Sequence, residues 1–125
     1  MTRAFPLYLK PAGATDVREH GRVILAHGEV TGHAHEVIAD ATGDLLDPAI
    51  PAADFFEEPA TGRRVLLVTR RCTLRHEEHG AITLDPEAPV QVRQGDVLLT
   101  PIGAGAWHVT RQREYAPEAI RNVAD

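Results

Sequence analysis

Short runs rich in β-branched and aliphatic residues recur along the chain at 22–27, 33–38, 65–69, 72–76, 81–84, 90–93, 97–100 and 107–113. Each has the length of a strand rather than a helix. The segments between them carry turn-forming residues, as in Ala41-Thr42-Gly43-Asp44, Asp85-Pro86-Glu87 and Gln94-Gly95-Asp96. The pattern predicts an all-β fold of antiparallel hairpins closed into a sandwich or barrel. Residues 47–62 break the rhythm, because Pro48, Pro51 and Pro59 cannot donate ladder hydrogen bonds. That segment reads as a long loop, with one helical turn over 53–58 docked by Phe55 and Phe56. At the C-terminus Pro117 suits a first helical turn, and Ile120, Val123 and Ala124 follow at helical spacing, so a short helix is expected over 116–124.

With 125 residues, 43% hydrophobic and 25% charged, the chain has the make-up of one globular β domain spanning 1–125. No apolar run reaches the roughly 18 residues of a membrane span, and no export signal is recognisable at the N-terminus. The lone cysteine, Cys72, has no partner for an internal disulfide, so a reducing cytoplasmic setting is expected. A formal charge of −5 disfavours wholesale nucleic-acid binding. Arginines do gather at Arg63, Arg64, Arg70, Arg71 and Arg75 and again at Arg111 and Arg113, either as a solvated face or as an anion or RNA site.

Seven histidines are the chemical signal. His33 and His35 stand two apart on an expected strand, so both rings leave the same face, with backbones about 6.5–7 Å apart. Two such imidazoles can reach one ion at metal–nitrogen distances of about 2.0–2.1 Å. In His76-Glu77-Glu78-His79 the spacing of three brings the rings together only where the chain turns, and Gly80 makes a bend or bulge available. The order is not the H-E-x-x-H of zinc proteases, whose histidines lie four apart on a helix. Two close histidine pairs on separate strands point to a shared divalent transition metal, with imidazoles suiting Zn, Cu, Fe or Ni. His27 is a reserve ligand, His108 beside Trp107 is another, and His20 is expected at the surface. Glu77 and Glu78 flank ligands and are the candidate general bases acting on metal-bound water. Glu36 is a further candidate ligand or partner of an imidazole.

Two resemblances add to this. The segment GDVLLTPIGAGAWHV resembles the second half of a cupin through Gly95, Asp96, Pro101, Gly103 and His108, and 28–43 resembles the first half through His33, His35 and Asp40. It departs from the family in the short interval before the histidine pair, in Asp40 where a glutamate is usual, and in His108 lying two residues late. HGEVTGHAH, HEEH and RQREY together are similar to small bacterial proteins of unknown activity, over residues 7–115. The cupin resemblance implies a cupin-like barrel holding a metal, Zn, Fe, Ni, Cu or Mn, that acts on a small-molecule substrate. The alternative is a non-catalytic module, with a structural metal or a pH-sensitive surface and a protein, nucleotide or RNA partner. Whether the chain is an enzyme stays open at this level. Exposed strand edges add the expectation of a homodimer.

Overall fold

The computed structural model describes residues 6–28, 32–39 and 53–112. Ten strands follow in order: β1 (Thr15–Asp16), β2 (Val23–His27), β3 (Ala34–Ala39), β4 (Ala53–Glu57), β5 (Arg64–Val68), β6 (Cys72–His76), β7 (His79–Leu84), β8 (Val92–Gln94), β9 (Val97–Gly103) and β10 (Ala106–Arg111). They form two antiparallel sheets, one ordered β1-β4-β5-β10-β9-β8 and the other β2-β3-β6-β7. All eight strands expected from the hydrophobic runs are present. The expected C-terminal helix, Asp40 and residues 47–52 lie outside the described residues.

The sheets pack face to face because each strand alternates its side chains. Val23, Leu25, Val37, Cys72 and Leu74 of the four-stranded sheet meet Phe55, Leu66, Leu99, Trp107 and Val109 of the six-stranded one in a single apolar core. Trp107 is buried there, and its indole N–H donates to the carbonyl of Val90 at 2.8 Å, so its one polar atom is satisfied. The six-stranded sheet also buries part of its outer face, where Phe56, Val65 and Ala106 pack with Tyr8, Leu67 and Ile102. Glu58 holds this layer down, accepting hydrogen bonds from Tyr8 at 2.6 Å, Thr61 at 2.8 Å and Arg63 at 2.8 Å. Those bonds, Arg63 foremost, hold its carboxyl down at about 2.

That second layer explains the misread segment at 53–57; the two-residue β1 also falls outside the expected strands. Residues 53–57 form a central strand, β4, paired with β1 and β5, and not a loop with a helical turn. Phe55 and Phe56 point to opposite faces and both are fully buried, since both faces of the sheet are covered at this point. Two adjacent apolar residues carry no alternation to read, and Pro59 falls just beyond the strand, where it removes no ladder bond.

Candidate metal centre

The histidines enter the fold at one end of the four-stranded sheet. His35 shares its parity with Val37, so it points into the sandwich; it is 2% exposed. His76 ends β6 on the parity of the core residues Cys72 and Leu74. His79 opens β7 and is its direct cross-strand partner, Glu77 and Glu78 forming the two-residue turn between them. Leu74 pairs with Ile82 and His76 with His79, so β6 advances two residues while β7 advances three. The extra residue is a β-bulge at Gly80–Ala81, and it restores His79 to the side of the sheet that Ile82 faces.

Four imidazoles are thereby gathered. Ring centroids are 4.3 Å apart for His35–His76, 4.7 Å for His76–His79, 5.8 Å for His35–His79 and 5.9 Å for His33–His76. Glycine backbones hem the cluster in. A Cβ on Gly95 would lie 2.8 Å from Nε2 of His79 and 3.3 Å from Cε1 of His35, and its φ of 59° also lies in the left-handed region. A Cβ on Gly28 would lie 3.4 Å from Nε2 of His76.

Gln94, buried on β8, sets the protonation pattern at the centre. Its Nε2 donates to the carbonyl of Leu74 at 3.1 Å and to that of Gly80, in the bulge, at 2.9 Å. Its Oε1 must therefore be the atom 2.8 Å from Nδ1 of His35, and it accepts from that nitrogen. Nδ1 carries the proton, so the neutral ring presents its lone pair at Nε2. His76 is set the other way, because its Nδ1 accepts the backbone N–H of Glu78 at 2.9 Å. Burial, reinforced by the neighbouring His35 and His79, lowers the pKa of His76. His33 Nδ1 is buried without a hydrogen-bond partner; the nearest carboxylate oxygen, Oε2 of Glu78, is 3.5 Å away.

The two glutamates of the turn differ in what they do. Glu77 Oε1 accepts from the backbone N–H of Ala34 at 3.0 Å, and its other oxygen lies 3.6 Å from Arg75. The bond to Ala34 leads the contacts that lower its pKa. Glu77 thus ties the β6–β7 turn to the residue between His33 and His35. Glu78 keeps its carboxylate largely in solvent on the His33 side. Asp96, in the turn after Gln94, places Oδ1 3.4 Å from Nε2 of His35 while Oδ2 accepts from Arg111 at 2.6 Å. Burial pushes its carboxyl up, but Arg111 outweighs this and holds it below its ordinary value.

Neither reserve histidine joins the cluster. His27 is exposed and donates to the Glu19 carboxylate at 2.8 Å. His108 lies between the core residues Trp107 and Val109 on β10 and so faces the other side of its sheet, where burial and the charge of Arg63 lower its pKa. Glu36 is paired with Arg22 at 2.9 Å. Cys72 is fully buried in the core. Among the described residues, no group of three or more His, Cys, Asp or Glu side chains stands in a ready-made metal-holding arrangement. The rings are gathered, but the turn has His76 pinned through Nδ1. Among the described residues, no helix is long and apolar enough to cross a membrane.

A family model described as Domain of unknown function (DUF8820) matches residues 4–86. The chain belongs to that family. The match takes in β1 to β7 and all four clustered histidines, whereas Gln94 and Asp96 lie beyond it. No curated protein and no solved structure shows significant similarity to the chain.

Proposed function

We propose that this protein binds a divalent transition metal through His33, His35, His76 and His79. One observation carries the reading: imidazoles from β3, β6 and β7 meet at one point of the sandwich with centroids 4.3 to 5.8 Å apart. Two imidazoles on one ion, bonded at about 2.0–2.1 Å with a near-tetrahedral angle between them, have centroids about 5 Å apart, close to these spacings. The buried, unpartnered Nδ1 of His33 supports it, because a buried polar atom left without a partner is unfavourable and a cation would satisfy it. Nε2 of His35 is already free to bind. His76 must give up the Glu78 N–H to present Nε2 in the metal-binding tautomer, so loading involves the turn between β6 and β7.

Imidazole-dominated ligation suits Zn, Cu, Fe or Ni, with Mn the weakest fit. A coordination position left to water would allow chemistry on a small-molecule substrate, as the cupin resemblance implies. Of the two candidate bases, Glu78 keeps its carboxylate largely in solvent beside His33, whereas Glu77 acts in positioning. A reducing cytoplasmic setting agrees with the buried thiol of Cys72. The test is calorimetric titration of untagged protein with Zn(II): His35→Ala and His76→Ala are each expected to weaken binding at least about tenfold. Full-strength binding in the double variant, or none in the parent, would overturn the reading.

A further inference from the structure

We propose that Asp96 is the oxygen ligand of this metal centre, forming with Nε2 of His35 one edge of a coordination sphere of four imidazoles and one carboxylate. The proposal rests on the metal-binding reading above and adds a residue from the opposite sheet.

The argument starts from Gln94. Because its amide nitrogen is committed to two carbonyls, its oxygen fixes the proton of His35 on Nδ1. Nε2 then carries a lone pair, and 3.4 Å from it stands Oδ1 of Asp96, whose carboxylate is kept ionised by Arg111. Two electron-rich atoms face each other at the end of the core, His35 enclosed and Asp96 partly open to solvent. A proton, a bridging water or a metal ion could relieve this contact.

Distance separates the three, since a water bonded to both atoms at about 2.8 Å would hold them about 4.6 Å apart. A proton shared between an imidazole and a carboxylate makes a charge-assisted bond of about 2.7–2.9 Å. A separation of 3.4 Å is too long for that. With metal–nitrogen and metal–oxygen bonds of about 2.0–2.2 Å, two ligand atoms 3.4 Å apart subtend about 110° at the ion, an ordinary angle between neighbouring ligands.

The surroundings hold both atoms to this spacing. Arg111 binds Oδ2 at 2.6 Å and anchors itself on the carbonyl of His27 at 2.8 Å, leaving Oδ1 turned toward His35. Asp96 and Gln94 flank Gly95, whose missing side chain gives His79 and His35 their room. One turn of the β8–β9 hairpin thus supplies the tautomer of one ligand, the space for another and a ligand of its own. A nitrogen-rich site with one carboxylate suits Zn(II) or Co(II).

Co(II) titration of the full chain, followed by its visible absorption, tests this. The parent is expected to give the visible bands of a five-coordinate Co(II) site. Asp96→Asn preserves size and the amide oxygen for Arg111 but removes the charge, and it is expected to lower Co(II) affinity about 10–100-fold or more and to shift the bands. Parent-like affinity and spectrum in Asp96→Asn, with binding lost in His35→Ala, would overturn this proposal and leave the histidine reading standing. No binding in the parent would overturn both. Should Asp96→Asn not fold, the carboxyl carbon-13 resonance of Asp96 in the unaltered chain serves instead. It is expected to move on addition of Zn(II), and a resonance that stays while the His35 ring signals move would overturn the proposal.

Discussion

Gln94 is the residue on which the candidate site turns, since it joins the two sheets through three hydrogen bonds at 2.8 to 3.1 Å while 2% exposed. Replacing it by leucine keeps the volume but strands His35 Nδ1 and the carbonyls of Leu74 and Gly80 in the interior. Gln94→Leu is expected to lower stability to chemical denaturation by at least about 1–3 kcal/mol. It is also expected to let His35 sample both tautomers, read from its ring nitrogen-15 shifts. An unchanged tautomer would leave Gln94 a merely structural residue. At this scale the sequence shows half of the site. His33 and His35 are readable because a period of two is a local property of any strand. Gln94 and Asp96 are not, because each meets His35 only across the sandwich, some 60 positions along the chain, and no local pattern marks a glutamine or an aspartate as a partner of a particular histidine.

Among the elements, the β6–β7 hairpin carries the most information. Its spacing of three histidine positions looks wrong for one face of a strand, and the structure resolves this with a two-residue turn and a bulge at Gly80–Ala81. The expectation of a bulge by Gly80 was sound, while the turn itself rests on Glu77 and Glu78. The Glu77 carboxylate then fastens this hairpin to the amide of Ala34 at 3.0 Å. Glu77→Ala is expected to speed hydrogen exchange at the Ala34 amide and to loosen the His76–His79 pair, with the core amides of β5 and β10 unaffected. Exchange at Ala34 equal to that of the parent would remove the tether from the account. By contrast β4 was hidden, since Phe55 and Phe56 bury on opposite faces and Pro59 sits close by, and only the presence of the second packed layer makes that pairing of residues a strand.

At the scale of the whole molecule, two sheets of six and four strands close on one apolar core, and the histidine cluster lies at the end of that core where both sheets contribute. The four-stranded sheet supplies the imidazoles, and the β8–β9 hairpin of the other supplies Gln94, Gly95 and Asp96. Such a site can form only once the sheets have docked, so its metal affinity should be a property of the folded sandwich and not of either sheet. The all-β class was legible from strand-length runs and turn residues. The location of the site was not, because it depends on which strand ends the topology brings together. The most direct measurement is a nitrogen-15 spectrum of the imidazole rings during titration of untagged protein with Zn(II). The signals of His33, His35, His76 and His79 are expected to move together and saturate at one ion per chain, while His20, His27 and His108 stay in place. Motion confined to His27 or His108, or no motion at all, would contradict the account.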